Sequence, residues 1–240
     1  RNMNIFLILI ILLAGSAITF LAGDKLASKV ALFFSALAAL FAGSLYFMYS
    51  GVETFQVVWV AKPLLHFSLL LDGLSLLLVM LNTFLTAVLI FAIRRYDYSN
   101  AKTLYSLILL MSFAMTGVFL SSDALLYYVF WELSLIPIYF IIVMWGNGEK
   151  ENRRKSAITF FIYTFAGSLF MLASILYLYT KAGSFLLEDF YNTNLTETEQ
   201  IWVFLGFMAA YAIKIPIFPF HSWQPSVYQK APMVGTILLG

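Results

Sequence analysis

The sequence predicts an all-α protein, a polytopic helix bundle embedded in a membrane. Hydrophobic residues make up 62% of the 240 residues, charged residues only 11%, and the mean hydropathy is +0.90. Soluble domains carry about one quarter charged residues. Apolar runs of about 20 residues recur, the length a helix needs to cross a hydrocarbon core about 30 Å thick. The alternating segments of about 10 residues that are typical of a membrane β-barrel do not occur.

Composition also excludes several classes of site. Cysteine is absent, so this chain forms no disulfide, uses no thiolate and ligates no iron–sulfur cluster through sulfur. The two histidines, His66 and His221, offer few ligands, and we expect no metal or haem site. Net charge is +2, and the basic residues lie in short loops, which argues against a nucleic-acid partner. The predicted partner is the lipid bilayer.

We expect one transmembrane domain over residues 1–240, with Met3 as the native start and Arg1 and Asn2 as a cloning remnant. Seven spans and the start of an eighth, near Pro232, are predicted. The seven are Ile5–Ala22, Val30–Tyr49, Asp72–Arg95, Thr103–Leu120, Ser122–Trp145, Ala157–Thr180 and Ile201–Phe220.

Polar residues mark the ends of the first spans. The segment Ser50–Leu71, which contains Glu53, Lys62, Pro63 and His66, is predicted to lie outside the membrane or at its interface. Asp72 suits the N-terminus of the third span, both as a cap and as a partner of the helix dipole. The tight turn at 121–123 supplies three side chains that can cap the fifth span.

Charged and polar connections flank the later spans. Glu149–Lys155 is predicted to form a charged loop before the sixth span, and Lys181–Gln200 a polar connection before the seventh. In the sixth span, Ala166–Ser168 is a run of small residues that allows close approach of another helix in lipid.

Basic residues are distributed unevenly between alternate loops. Nine follow spans one, three and five: Lys25, Lys29, Arg94, Arg95, Lys102, Lys150, Arg153, Arg154 and Lys155. Only Lys62 and Lys181 follow the other spans. The positive-inside rule therefore predicts that the side with nine is cytoplasmic and that the N-terminus is outside.

Glu132 lies near the middle of the fifth span, where a carboxylate is costly and usually faces a protein interior or a wet cavity. At helical spacing it shares a face with Tyr128 and Tyr139. Pro137 lacks an amide donor and should leave the carbonyl of Leu133 without its usual partner, so we expect a bend beside the carboxylate. The alternative interpretation is that the Glu132 side chain only makes a structural polar contact between helices.

Lys214 is the first candidate partner of Glu132. It lies about 14 residues into the seventh span, which at 1.5 Å per residue places it near the middle of the bilayer. The following segment, Ile215–Pro225, holds three prolines and His221, so a continuous helix is not expected there. Broken helices of this kind mark ion paths in transporters. His221 is then either a proton-relay residue or a side chain that satisfies backbone groups freed at the break.

Other polar residues within the spans predict hydrogen bonds between helices, or sites that hold a water chain. They are Asn82, Thr83 and Thr86 in the third span, Ser112 and Thr116 in the fourth, and Thr159, Tyr163, Thr164 and Ser168 in the sixth.

Two segments carry a family resemblance: SSDALLYYVFWELSLIPIYFIIVMWGNGEKENRRK and the later AAYAIKIPIFPFHSWQPSVYQKAP. Together with the opening of the third span, DGLS, they resemble the proton-translocating, antiporter-like membrane subunits of respiratory complex I, and among these chain M of bacterial NADH-quinone oxidoreductase. Where that family frequently has PDAHVEAP, this chain has PSVYQKAP at 225–232, so it lacks the usual acid and histidine there.

The resemblance implies a fourteen-helix fold of two inverted five-helix repeats, each with a broken helix, of which this chain would be an N-terminal fragment. It implies that Glu132 and Lys214 are the family's intramembrane acid and lysine. It also implies a bacterial inner-membrane protein that holds no redox centre itself. NADH, FMN, iron–sulfur clusters and quinone would belong to the whole complex, whose other membrane subunits would be its partners.

Three functions follow from these observations. The first is a proton-translocating subunit of NADH-quinone oxidoreductase, with Glu132, Lys214 and His221 as its proton-transfer residues and electron transfer in other subunits as its driving force. The second is a subunit of a multi-subunit sodium/proton antiporter, which resembles it over the same helices. The third is a membrane scaffold whose charges only hold helices together.

The charge asymmetry makes a testable prediction about topology. Cysteines introduced at Asn147 and at Ser99 should react with a membrane-impermeant thiol reagent only from the cytoplasmic side, because the basic loops are retained there. A cysteine at Asn192 should react only from outside. Since the chain has no native cysteine, each signal is unambiguous. Reversed labelling would contradict this orientation.

Overall fold

The structure is a computed structural model that describes residues 3–60 and 65–239. Arg1, Asn2, Lys62, Pro63 and Gly240 lie outside the described residues. A two-stranded sheet, formed by β1 and β2, interrupts an otherwise helical chain. The elements in chain order are α1 Met3–Leu21, α2 Asp24–Met48, β1 Glu53–Val60, β2 Leu65–Leu71, α3 Gly73–Ile93, α4 Ala101–Leu120, α5 Ala124–Leu133, α6 Leu135–Trp145, α7 Lys150–Ala182, α8 Leu187–Tyr191, α9 Glu197–Lys214, α10 Gln224–Lys230 and α11 Met233–Leu239.

The predicted class, a helical membrane bundle, is confirmed. Within the described residues, six helical segments are long and apolar enough to cross a membrane: α1, α2, α3, α4, the consecutive α5 and α6, and α7. The seventh predicted span is a broken one. It is divided into α9, an irregular turn and α10, as the three prolines predicted. The 18-residue α9 is not among the six segments because it carries three charged side chains, Glu197, Glu199 and Lys214.

The chain divides into two compact units. Residues 1–57 and 67–121 form the first, and residues 58–66 and 122–240 form the second. In the first unit α2 packs against α1, α3 and α4, and α1 packs against α4. The buried face of α2 is a line of small side chains, Ala27, Ala31, Ser35, Ala38 and Ala42. Because they recur every three or four residues, they lie on one face of α2, and small side chains of this kind allow neighbouring helices to approach closely.

In the second unit α7 contacts α5, α6, α8, α9 and α10, so it is the common support of that unit. Glycines permit its closest approach to α9. A Cβ atom at Gly206 of α9 would collide with Ser174 Oγ and lie 2.8 Å from the carbonyl oxygen of Phe170, both on α7. A Cβ atom at Gly167 of α7 would lie 2.7 Å from Ile213 Cδ1 on α9. The predicted role of Ala166–Ser168 in close helix contact is thus confirmed at Gly167.

Within each unit, loops that the sequence places on one side of the membrane contact each other. In the first unit, the Lys102 amide donates to Asp24 Oδ1 at 2.9 Å, and Leu69 forms an isolated β-bridge with Ser121. In the second, Asp123 forms a β-bridge with Leu186, and Asn147 donates from its side chain to the carbonyl of Ala231 at 3.0 Å. The alternation of loops between two sides is therefore built into the fold.

Three connections are more regular than the sequence predicted. The segment Ser50–Leu71 contains β1 and β2, which pair with each other and so satisfy backbone groups without a helix. The charged segment Glu149–Lys155 forms the first turns of α7 rather than a loop, since its charged side chains are good helix formers and Glu151 in the first turn complements the helix dipole. The connection Lys181–Gln200 contains α8 and the start of α9, where Thr196 and Glu199 form a capping box.

The predicted helix caps are confirmed. Asp72 Oδ1 accepts from the amide of Ser75 at 2.7 Å, while the Ser75 hydroxyl oxygen accepts from the Asp72 amide at 2.8 Å. These hydrogen bonds hold the pKa of Asp72 below its usual value, against the opposing effect of burial. Asp123 Oδ1 accepts from the amides of Leu125 and Leu126, both at 3.0 Å, and so caps α5.

The polar side chains within the spans divide into two groups. Asn82 donates to the carbonyl and hydroxyl of Ser112 and to the hydroxyl of Thr116, which confirms a link between α3 and α4. The Tyr163 hydroxyl lies 3.0 Å from Ser222 Oγ. The others instead donate to carbonyls of their own helix, one turn back: Thr83, Thr86, Thr159, Thr164 and Ser168. The hydroxyl groups of these five residues therefore do not donate the predicted hydrogen bond to a neighbouring helix.

The α7–α9 contact predicts that replacing a glycine by alanine destabilises the protein at Gly206 of α9, but does not do so at Gly43 of α2, which lies outside this contact. Gly206→Ala should lower the melting temperature of the full-length protein in detergent, because the added methyl overlaps Ser174, and such overpacking costs about 1–3 kcal/mol. Gly43→Ala in α2 is the matched control. Nothing lies within 4 Å of a Cβ at Gly43, so alanine should leave stability unchanged or raise it by up to about 1 kcal/mol. Equal melting temperatures for the two variants would contradict this packing.

Candidate functional site

The fifth span is interrupted at Ser134, two residues after Glu132. The helix α5 ends at Leu133 and α6 begins at Leu135, with Ser134 between them. The Ser134 side chain, 2% exposed, donates from its hydroxyl to the carbonyl of Trp131 at 2.7 Å. The regular helix is therefore interrupted beside the carboxylate, where Pro137 predicts a bend. Because the hydroxyl proton of Ser134 is engaged by Trp131, its oxygen presents a lone pair to other donors.

The helix α9 ends at Lys214, where the prolines begin to remove amide donors. The amide of Ile217 donates to the carbonyl of Ala212 rather than to that of Ile213. The freed Ile213 carbonyl accepts instead from the indole Nε1 of Trp223, at 3.0 Å in a buried contact. A side chain across the break thus replaces the missing helical bond, as non-helical backbone inside a membrane requires.

The two interruptions meet at Lys214. Its Nζ donates to Ser134 Oγ at 3.3 Å and lies 5.1 Å from the centroid of the Trp131 ring. The charges of Lys214 and Glu132 attract each other, yet these two described residues form no direct ion pair. Ser134 is the residue that connects the lysine to the helix of the acid. A cation above an indole face adds a further attraction.

Glu132 has a part-buried side chain with few partners. Its Oε1 is buried and makes no hydrogen bond to any residue that the structure describes. Ser168 of α7 and Lys214 of α9 are the groups that interact with the carboxylate, and Tyr128 interacts with both Glu132 and Ser168. The predicted companion Tyr139 follows the interruption at Ser134, and its ring packs against Phe161. An incompletely bonded carboxylate beside a lysine can take up or release a proton.

Aromatic side chains form the wall beside the lysine. The Tyr127 and Tyr211 hydroxyls lie 3.4 Å apart. The Trp131 ring packs against both, with ring centroids 5.8 Å from Tyr127 and 5.6 Å from Tyr211. These rings limit the access of lipid to Lys214 while providing hydroxyl groups close to it.

His221 lies apart from this cluster. It is exposed on the turn between α9 and α10, and its ring centroid is 5.6 Å from that of Phe218. The structure therefore brings Glu132 and Lys214 together but does not bring His221 into contact with either of them.

Sequence reasoning missed Ser134 and Trp131, which both contact Lys214. The available signal was their position: Trp131 adjoins the acid, and Ser134 is a small polar residue between the acid and Pro137. Within the described ranges, no three histidine, cysteine or acidic side chains are grouped as metal ligands. The site as described is suited to proton transfer between side chains.

Comparison with known proteins identifies the family. The family described as "NADH:quinone oxidoreductase/Mrp antiporter, TM" matches residues 121–240, which contain Glu132, Lys214 and His221. "NADH-quinone oxidoreductase subunit M" of Rickettsia bellii is 38% identical over 198 residues, which cover 80% of this chain and 38% of that protein. The chain thus spans well under half the length of this curated relative.

Two solved structures have the same fold. A chain of respiratory complex I from Thermus thermophilus with bound NADH matches with a TM-score of 0.87 and 29% identity, over 98% of this chain and 50% of that one. A chain of the Mrp complex from Dietzia sp. matches with a TM-score of 0.88 and 20% identity, over 98% of this chain and 26% of that one. The protein belongs to the transmembrane family shared by NADH:quinone oxidoreductases and Mrp antiporters.

Proposed function

We propose that this chain is part of a proton-translocating membrane subunit of an NADH-quinone oxidoreductase, and that Glu132 and Lys214 carry the proton transfer. The observation that carries the proposal is the 3.3 Å contact between Lys214 Nζ and Ser134 Oγ, which joins two interrupted helices beside Glu132. The names of the Rickettsia relative and of the Thermus complex favour the oxidoreductase.

The chemistry of the pair follows from opposing electrostatic effects. Burial in a membrane disfavours the charged form of both side chains, whereas their mutual attraction favours it. The charged pair and the neutral pair are then close in free energy, and a small change in the separation of Glu132 and Lys214 shifts the population between them. The two groups titrate as a coupled unit, so the proton is shared by the pair.

Electron transfer in other subunits supplies the free energy in this proposal. NADH, FMN, iron–sulfur clusters and quinone are bound by those subunits, and a conformational or electrostatic change transmitted through the membrane arm alters the Glu132–Lys214 separation. The subunit lies in the bacterial inner membrane beside other membrane subunits, with its N-terminus outside, as the basic loops indicate.

A sodium/proton antiporter subunit is the second candidate. It is favoured by the family description, which includes Mrp antiporters, and by the fold shared with the Dietzia complex. The same pair would then exchange a proton for a cation without a redox partner. Purification of the full-length protein with its companions separates the candidates, because flavin and iron–sulfur proteins accompany only an oxidoreductase.

Substitution of the pair in the complete complex tests the proposed function. Glu132→Gln and Lys214→Ala should each lower proton pumping and coupled quinone reduction to about one tenth of wild type or less, because a positioned acid or base typically contributes at least about 10²-fold. Glu132→Asp should retain more activity than Glu132→Gln, since it keeps the charge with a shorter reach. Pumping is measured in proteoliposomes by quenching of a pH-sensitive dye.

Two control variants match these changes at exposed positions. Glu188→Gln on α8 and Lys29→Ala on α2 make the same chemical substitutions away from the site and should pump normally. Electron transfer from NADH to an artificial acceptor should persist in all variants, which shows that the complex has assembled. Normal pumping by an assembled Glu132→Gln complex would leave the carboxylate with only a scaffold role.

His221 is proposed as a further relay residue on the grounds of the sequence alone. His221→Asn should slow pumping if protons reach Lys214 through the α9–α10 turn, because asparagine keeps hydrogen bonding but cannot carry the proton. The expected loss is smaller than that of Lys214→Ala, since the exposed ring lies away from the pair. Unchanged pumping by His221→Asn would remove this residue from the relay and leave the pair intact.

A further inference from the structure

The end of α5 carries three side chains that could hold the amine of Lys214: Trp131, Glu132 and Ser134. A carboxylate is the strongest partner of the three, because a charge-assisted hydrogen bond is roughly twice as strong as a neutral one. The amine nevertheless occupies the other two. Its Nζ lies 3.3 Å from Ser134 Oγ and 5.1 Å from the centroid of the Trp131 ring, and among the described residues it makes no ion pair with Glu132. This position of the amine is therefore distinct from an ion-paired one.

The Ser134 hydroxyl is suited to bind lysine in either protonation state. Its side chain is 2% exposed and donates to the carbonyl of Trp131 at 2.7 Å, which leaves the lone pairs of the oxygen for the ammonium of Lys214. When the lysine loses its proton, the same hydroxyl can rotate and donate to the lone pair of the neutral amine. An ionised Glu132 only accepts hydrogen bonds and attracts positive charge, so it favours the ammonium. The two partners thus favour different forms of the lysine.

Glu132 can receive the same amine. Its Oε1 is buried and makes no hydrogen bond within the part of the chain that the structure describes. A buried acceptor without a partner is costly, so an approaching donor is bound favourably. Glu132 and Ser134 are two positions apart on the chain, and lysine carries its ammonium on a flexible four-carbon stem. The amine can therefore exchange one oxygen for the other by rotation of its own side chain.

The backbone beside Lys214 is held on two sides, which leaves the side chain as the moving part. Ile213 packs so closely on α7 that a Cβ atom at Gly167 would lie 2.7 Å from its Cδ1. The carbonyl of Ile213 accepts from the indole of Trp223 at 3.0 Å in a buried contact. A displacement of α9 would disturb both contacts, whereas a swing of the lysine side chain disturbs neither of them.

We propose that Ser134, with the Trp131 ring beside it, forms a holding position for the Lys214 amine, and that the amine alternates between this position and Glu132. Beside Glu132 the lysine keeps its proton. Beside Ser134 it can give up the proton that the proposed function transfers. Ser134 exchanges no proton itself and acts as a positioning residue. The inference rests on the proposed function, to which it adds the second position of the lysine.

The variant Ser134→Ala in the complete complex removes the hydrogen bond of the holding position. We expect proton pumping to fall about tenfold, because one hydrogen bond to a charged group shifts a population by about that factor or more. Ser134→Thr keeps the hydroxyl and should retain most of the wild-type rate. Both variants should retain electron transfer from NADH to an artificial acceptor, which shows that the complex has assembled.

The matched control is Ser35→Ala in α2. Like Ser134, this buried serine donates from its hydroxyl to a carbonyl three residues back, that of Leu32 at 3.1 Å. The same substitution there removes the same kind of hydrogen bond without touching the holding position, so it should leave pumping unchanged.

An infrared measurement separates positioning from a merely structural role. Without the Ser134 hydroxyl the amine settles on Glu132, so the carboxylate stretch of Glu132 should differ between wild type and Ser134→Ala. The difference should vanish when both proteins also carry Glu132→Gln. It should also be absent between wild type and Ser35→Ala.

Normal pumping by Ser134→Ala would overturn the holding position, as would an unchanged Glu132 band in that variant. Equal losses of pumping in Ser134→Thr and Ser134→Ala would overturn it as well, because the hydroxyl would then not be the group that matters. If Glu132→Gln is inactive in these cases, the proposed function stands without the holding position. Normal pumping by Glu132→Gln would overturn the proposed function itself.

Discussion

The hydrogen bond between Lys214 and Ser134 depends on a constraint that governs the whole second unit: backbone groups inside a membrane must be bonded within the protein. Two helices are interrupted there, and at the second interruption a side chain replaces the missing bond: Trp223 donates across the break to the carbonyl of Ile213. Because that break is stabilised within the protein, α9 can end at Lys214 and place its amine against Ser134 without further unfolding of the helix.

The long helix α7 is the element that holds these interrupted helices in place. It packs against α5, α6, α9 and α10, and small residues at Gly167, Ser174 and Gly206 bring α9 close to it. Its Ser168 also interacts with Glu132. Because the uninterrupted helix α7 supports the two interrupted ones, the distance between Glu132 and Lys214 can change while the backbone hydrogen bonds around them are kept. In the proposed function, packing on α7 and proton transfer at the pair are thus linked.

The two ends of the bundle differ in their electrostatics. The loops assigned to the cytoplasm hold most of the basic residues, and Arg153 there donates to the carbonyl of Gly146 at 2.8 Å. At the other end, Asp123 is buried and caps α5, and Lys181 pairs with Glu199 at 2.7 Å.

The sequence by itself determined the features that depend on composition and local chemistry. Apolar runs of about 20 residues gave the helical membrane bundle, Asp72 and Asp123 gave the caps, and the prolines at 216, 219 and 225 gave the broken seventh span. Glu132 and Lys214 stood out because a charge within an apolar run is costly wherever the helix packs.

Only the tertiary structure decided which side chains meet. Ser134 contacts Lys214 across 80 positions of sequence, so no local pattern could reveal that contact. Tyr128, Glu132 and Tyr139, which share a face by their spacing, all meet α7: the first two interact with Ser168, and Tyr139 packs against Phe161. The face that meets α9 carries Tyr127 and Trp131 instead. Periodicity gives the residues that share a face, whereas the packing of other helices decides which face is buried and what it touches.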